Sequence, residues 1–203
     1  MKFDEIAALT IHDVKNRLAL MASHAESQGD NDTLRGALEA AATLTHLLLF
    51  YKAERGSLGI DLNARVPADL LEELVAGVST QAGITITADT SNAPTLWYYD
   101  EHLIRLVLTD AVYNALRHAK TSVHLSATES NNQLHFVVSD DGPGYPEAML
   151  GKPIAMQEMT REGTGLGLHL ANHIAALHKT AVQEGRIELS NHNGAIFSLH
   201  LPQ

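Results

Sequence analysis

The first 55 residues of this chain carry a helical hydrophobic pattern that the rest does not share, and that difference limits the folds open to it. In the first part, Phe3, Ala7, Ile11, Val14, Leu18, Met21 and Ala25 recur at steps of four and three, the spacing of one buried seam on a helix. A polar stretch, 27–33 (SQGDNDT), interrupts the pattern, with Gly29 as a stop signal and Asp30, Asn31 and Asp32 as N-cap candidates. A second seam follows through Leu34, Ala37, Ala41, Leu44, Leu48 and Tyr51. Two helices of roughly 25 residues joined by a short polar turn make an antiparallel hairpin. Leu38 and Leu49 add apolar surface that a lone hairpin cannot cover. The expectation is a homodimer in which two hairpins pair into a four-helix bundle.

Residues 56–67 (GSLGIDLNARVP) have linker composition, and beyond them the reading is mixed. Ala68–Ala76 reads as a helix, Gly83–Ala88 and Thr95–Tyr98 as strands, and Asp100–Ala119 as a long helix. Alternation at Val123/Leu125, at Leu134/Phe136/Val138, and at Ile187/Leu189 turning at NHNG into Phe197/Leu199/Leu201 predicts half-buried antiparallel strands. A loop rich in Gly and Met (141–165) and a helix over Leu166–Leu177 lie between the second and third of these. The fold class is therefore α+β: a helical hairpin followed by a sandwich of helices on a mixed, mostly antiparallel sheet. The expected division is 1–56 hairpin, 57–66 linker and 67–203 second domain.

Composition closes off several functions. The 14 Lys+Arg against 24 Asp+Glu leave a formal charge of −10, the wrong sign for non-specific binding to nucleic acid or an anionic membrane. Without cysteine there is no disulfide framework, thiolate nucleophile or Cys-based metal site. No apolar run approaches the ~20 residues of a membrane span. The start MKFDEIAAL carries acids where a signal peptide has a basic start, so the expected location is the cytoplasm.

Three clusters in the second part carry chemistry. Asp110, Asn114 and Arg117 fall within an arc of roughly 60° on the long helix, at the rim of an apolar stripe of Ile104, Leu108, Ala111 and Ala115. An amide oxygen there can ligate a hard cation such as Mg²⁺, and a guanidinium can donate to phosphate; a solvated helix face has the same spacing. The second cluster, 137–146 (VVSDDGPGYP), runs a strand into Asp-Asp-Gly-Pro-Gly. A carboxylate at a strand end can accept a hydrogen bond from an exocyclic amine, and neighbouring glycines leave room for a flat base. Alone it is an ordinary strand-exit turn. The third, Gly163-Thr164-Gly165-Leu166-Gly167, precedes a helix, where exposed N–H groups and the helix start cradle anions. It is neither a P-loop nor a dinucleotide fingerprint.

In this order the three clusters resemble the N-box and two glycine boxes of the GHKL (Bergerat-fold) ATP-binding superfamily, within the sensor histidine kinases. The resemblance implies ATP and Mg²⁺ as cofactors, with Asn114 on the metal and Asp140 on the adenine amine. It implies that Asp110, Arg117 and His118 border the nucleotide, that Gly142 and Gly144 shape the base pocket, and that Gly163, Thr164, Gly165, Leu166 and Gly167 line the phosphates. Lys152 and Arg161, in the lid, are further candidates for phosphate contacts.

One of the 12 histidines also fits this scheme. His12 follows the seam position Ile11 and so points outward, with Asn16 one turn on along the same outer face. A neutral imidazole, the main form at pH 7 for an ordinary pKa of about 6.5, has one ring nitrogen free to attack phosphorus. A neighbouring carboxylate can take the proton on the other. Ile11-His12-Asp13-Val14-Lys15-Asn16-Arg17-Leu18 resembles the His-(Glu/Asp)-x-Lys-Asn-Pro-Leu motif of nitrogen-regulation-type histidine kinases. That resemblance implies His12 as phosphoacceptor, Asp13 as base and Asn16 as the positioner of a water in phosphatase action. It also implies a response-regulator receiver domain as partner and an upstream sensor protein as one source of input.

The sequence departs from the family pattern at four points. Asp110 stands for the usual Asn, Arg117 for a Lys and Arg17 for the motif's Pro, and the lid (145–162) has no phenylalanine. Two other readings keep part of the pattern: a phosphotransfer adaptor whose ATPase-like domain only docks, and a GHKL kinase acting on a partner's serine. His169 and His173 lie one turn apart in a spacing that can bind zinc, but the HExxH carboxylate is missing.

Overall fold

The computed structural model describes residues 3–78, 83–151 and 166–203. The chain forms two compact units, Met1–Leu58 and Gly59–Gln203.

The first unit is a hairpin of α1 (Phe3–Gln28) and α2 (Asn31–Glu54). Asp30 caps α2, its carboxylate accepting a hydrogen bond from Thr33 N at 3.1 Å, which satisfies one of the donors a helix start leaves open. The covered side of α1 runs through Ile11, Lys15, Leu18, Ala22 and Ala25, with the two alanines buried. This corrects the expected seam: Val14 is 39% and Met21 52% exposed. At about 100° per residue those two fall roughly 60–80° from the centre of the covered stripe. The small alanines instead mark the line of closest approach. On α2 the expected seam residues are all at least partly covered, with Ala37 buried, whereas Leu38 and Leu47 lie in solvent.

The second unit is an α+β sandwich. Its main sheet has the order β2 (Thr85–Asp89), β4 (Ser122–Ser130), β5 (Gln133–Asp140), β7 (Ala195–Pro202), β6 (Arg186–Asn191). The β2–β4 pair is parallel and the other three pairs are antiparallel. One face of each long strand supplies the core: Val123, Leu125 and Ala127; Leu134, Phe136 and Val138; Phe197, Leu199 and Leu201. Against that face pack α3 (Pro67–Gly77), α4 (Glu101–His118) and α5 (Leu166–Leu177). The α4 stripe of Ile104, Leu108, Ala111 and Ala115 is buried as its spacing requires. A 3-10 turn, Glu147–Met149, follows β5.

Residues 57–66, expected as linker, contain a strand instead. β1 (Asn63–Arg65) pairs antiparallel with β3 (Trp97–Tyr99) in a separate two-stranded sheet. All three β1 side chains are exposed, so no hydrophobic alternation marks the strand, and only its distant partner defines it. Asp100 fastens this corner. Its Oδ1 caps α4 at Leu103 N (3.1 Å) and its Oδ2 accepts from Asp61 N (3.0 Å). Its own N–H donates to His178 Nε2 at 3.1 Å, so Nδ1 of that buried imidazole carries the proton and donates to Ile174 O at 2.8 Å. Among the described residues no helix is long and apolar enough to cross a membrane.

Candidate nucleotide site

The site begins with two backbone features. α4 runs from its Asp100 cap to Ala119 and carries Asp110 and Asn114 half-buried at the rim of the core, with Arg117 and His118 exposed beyond them. β5 ends at Asp140, where the chain leaves the sheet through Asp141, Gly142, Pro143 and Gly144. The end of β5 lies against the end of α4 because residue 142 has no side chain. A Cβ there would be driven into the His118 carbonyl, with Asp140 Oδ1 2.8 Å away. The close contact at Gly142 is thus with the protein's own backbone.

Asp140 is held by its neighbours. Gly142 N donates to its Oδ1 at 2.7 Å and Ala195 N, at the start of β7, donates to the same oxygen at 3.3 Å. Asp141 turns the other way and collects the loop after α4: Lys120 N (2.8 Å), Thr121 N (3.0 Å), Ser122 N (3.2 Å) and the Thr121 hydroxyl all donate to it. Those donors, the Thr121 hydroxyl foremost, hold its carboxyl well below the usual carboxylate range. The next residues are clamped as well. Asn191, at the end of β6, accepts from Tyr145 N at 2.8 Å and donates to Tyr145 O at 2.9 Å. Gly144, at a φ of 84°, packs directly against that Asn191 side chain.

Burial, reinforced by the charge of Asp140, pushes the Tyr145 phenol up to about 12. Asp110 Oδ2 faces the first turn of α5, lying 3.8 Å from where a Gly167 Cβ would sit. Asp140 stands where β5 meets the end of α4 through Gly142, and Asp110 adjoins Gly167. Leu166 is half-buried in the same first turn. Lys152, Arg161, Gly163, Thr164 and Gly165 lie outside the described residues.

The donor set suits a magnesium nucleotide. Asp110 and Asn114, one turn apart, offer hard oxygens, and Mg²⁺ takes one or two protein oxygens while phosphates and waters fill its remaining positions. Among the described residues no group of three His, Asp or Glu side chains is placed to hold a metal by itself. On the hairpin, His12 and Asp13 are exposed, with Asn16 Nδ2 3.3 Å and Asp13 Oδ1 3.8 Å from His12 Nδ1. The engaged ring edge is Nδ1.

Sequence reasoning missed Tyr145, Asn191, Asp141 and Ala195 as parts of this site. Tyr145 directly follows the Asp-Asp-Gly-Pro-Gly run and was within reach. The others act through backbone or cross-strand contacts that leave no local spacing.

The sequence profile described as "Histidine kinase-, DNA gyrase B-, and HSP90-like ATPase" matches residues 99–203, and the chain belongs to that family. The Streptomyces coelicolor "Signal transduction histidine-protein kinase AfsQ2" is 31% identical over 112 residues, covering 51% of this chain and 20% of that protein. The Bacillus subtilis "Sporulation kinase A" is 27% identical over 170 residues, covering 79% of this chain and 26% of the relative. Among solved structures, full-length ShkA in complex with AMPPNP superposes with a TM-score of 0.74 at 21% identity, covering 98% of this chain and 45% of that one. The chain thus spans about a fifth to a quarter of the length of these two curated relatives.

Proposed function

We propose that this chain is an ATP-dependent protein-histidine kinase of a two-component system. It phosphorylates His12 and passes the phosphoryl group to an aspartate on a response-regulator receiver domain. Residues 1–56 serve as dimerisation and phosphotransfer hairpin, 57–66 as the connection and 67–203 as the ATP-binding domain. The observation that carries the reading is the close approach of the end of β5, which carries Asp140, to the end of α4 through Gly142, inside the segment that matches the ATPase family.

In this reading Asp140 accepts from the adenine amine through Oδ2, since both backbone donors are on Oδ1. Asn114, with Asp110 beside it, holds Mg²⁺ through its amide oxygen, and Arg117 meets the phosphates. The metal supplies neutralisation of charge on the transferring phosphoryl group. Asn16 Nδ2, as an amide NH₂, can only donate to His12 Nδ1, so attack through Nε2 uses the tautomer in which Asn16 turns away and Nδ1 carries the proton toward Asp13 Oδ1, 3.8 Å off. A bond forms from Nε2 to the γ-phosphorus, the bond to the β–γ bridging oxygen breaks and ADP leaves. Asp13 takes up or shares the Nδ1 proton as positive charge develops on the ring. Running the hairpin in the phosphatase direction uses Asn16 to position a water at the regulator's phosphoaspartate. The exposed apolar residues of the hairpin, Met21, Leu38 and Leu47, supply the surface for a homodimer.

Incubation with γ-labelled ATP should give an acid-labile, alkali-stable phosphoprotein, lost in His12→Gln and in Asn114→Ala. Labelling that survives His12→Gln refutes the assignment. One observation favours the second reading, a phosphotransfer adaptor with a docking-only domain: the carboxylate of Asp110 stands beside the first turn of α5, where it opposes phosphate. Calorimetry separates the two, because an adaptor binds no Mg²⁺-ATP.

A further inference from the structure

The turn between β6 and β7 carries the chain's single Asn-Gly pair, Asn193-Gly194, and no part of the reading above uses it. Asn193 is exposed at a φ of 58°, Gly194 is buried at a φ of 152°, and His192 N donates to Gly194 O at 3.0 Å across the bend. Both residue types suit the positive φ values that a tight hairpin turn needs. The same pair is also prone to cyclise, because a glycine N–H with no Cβ beside it meets little hindrance on its way to the asparagine amide carbon. Cyclisation needs both groups free. Among the described residues no hydrogen bond holds the Asn193 side chain or the Gly194 N–H. The chain's one Asp-Gly pair, Asp141-Gly142, is the contrast. Asp141 is tied to Lys120 N, Thr121 N and Ser122 N, and Gly142 N donates to Asp140 Oδ1 at 2.7 Å.

We propose that Asn193 is a site of spontaneous modification whose isoaspartate product disables the neighbouring nucleotide pocket. Gly194 N, losing its proton to solvent base, forms a bond to Asn193 Cγ; the bond from Cγ to the amide nitrogen breaks, ammonia leaves and a succinimide remains. Water then opens the ring at either carbonyl. Opening at Cγ gives ordinary aspartate. Opening at the main-chain carbonyl gives isoaspartate, in which the backbone runs through the former side chain and is one methylene longer. The fold has no room for that methylene. A Cβ on Gly194 would be driven into the Asp140 carbonyl oxygen, 2.7 Å from its carbon and 3.0 Å from Asp141 Cα. The next residue, Ala195, donates its N–H to Asp140 Oδ1 at 3.3 Å. A longer backbone at 193 therefore displaces the donor that holds Asp140. The effect on the pocket rests on the nucleotide-site reading above; the modification itself does not.

In the test, the full chain is incubated at mildly alkaline pH, and its C-terminal tryptic fragment, Ile187–Gln203, is followed by mass spectrometry, with isoaspartate scored by enzymatic methylation. Conversion should appear at Asn193, leave Asp141-Gly142 unchanged and vanish in Asn193→Gln, whose longer side chain would have to close a larger ring. Calorimetric titration with ADP and Mg²⁺ then compares unaged wild type, the chromatographically separated isoaspartate form and Asn193→Asp. The isoaspartate form should bind about three- to tenfold more weakly, the net size of one displaced hydrogen bond. Asn193→Asp, which changes the charge but not the backbone, should bind as wild type does. A folded chain that keeps Asn193 intact while the free fragment converts overturns the proposal. So does an isoaspartate form with wild-type affinity, or an equal loss in Asn193→Asp, since charge alone would then account for the effect. Absence of ADP binding by unaged wild type, with conversion at Asn193 still seen, overturns the nucleotide reading and the effect on the pocket with it, and leaves the modification site standing.

Discussion

Gly142→Ala tests the packing of the site most directly. The added methyl has no free volume: its carbon would fall well inside contact distance of the His118 carbonyl oxygen and 3.0 Å from the carbonyl carbon, with Asp140 Oδ1 at 2.8 Å. Two of these three neighbours are backbone atoms at the end of α4, which cannot rotate away as a flexible side chain does. Overpacking of this kind costs about 1–3 kcal/mol, and a backbone obstacle places this case near the upper end. For a unit of this size each kcal/mol lowers Tm by roughly 2–4 °C, so the loss should be about 4–10 °C. Trp97 is the chain's single tryptophan and is buried in this unit, so its fluorescence during heating of the full chain follows the relevant transition. Gly77→Ala is the control, since a Cβ at the end of α3 meets nothing within 4 Å. A Gly142→Ala protein that melts within a degree of wild type would refute the argument that the two chain ends are pressed together through that glycine.

Two further outcomes follow from the same coordinates. Burial, with Arg186 and then His135 beside it, pushes the His200 imidazole down to about 4; Glu188 Oε2, at 3.7 Å, is the facing carboxylate. The unfolded chain takes up this proton near the reference pKa of about 6.5 and the folded chain only near 4, so the contribution is intact above pH 6.5 and drains away toward pH 4. Urea titrations should show roughly 2–3 kcal/mol of stability lost across that window on this account, and His200→Gln should flatten the dependence; an equally steep curve in the variant would exclude His200 as its source. On the hairpin, Met21 and Leu47 are 52% and 48% exposed. If they form the proposed dimer surface, Met21→Lys with Leu47→Lys should sediment as a monomer with its helical circular dichroism largely retained, and a dimer surviving both changes removes that surface from consideration.

Much of this architecture can be read from residue spacing. The α5 boundaries, Leu166–Leu177, match the expected helix, and α4 occupies the expected stretch between Asp100 and Ala119. The four long strands β4 to β7 fall where alternation places them. These elements are legible because each buries one continuous face, and burial of one face imposes a period on the sequence. The positions of Asp110, Asn114 and Asp140 were legible for a related reason: they stand at the rim of a stripe or at the end of a strand.

What the chain's order alone determined, then, is which residues are helical, which are extended, and which side of each element is apolar. Tertiary structure decided the pairings between distant segments. The exposed three-residue β1 is a strand only because β3 lies beside it, and β2 is parallel to β4 only because the intervening chain crosses over. It also decided which of two adjacent apolar lines on α1 is covered, favouring Ala22 and Ala25 over Val14 and Met21 because small side chains let the helices approach. The grip of Asn191 on the Tyr145 backbone belongs to the same class. A hydrogen bond between remote residues leaves no period in a sequence, since its geometry exists only after the core has brought the strands together.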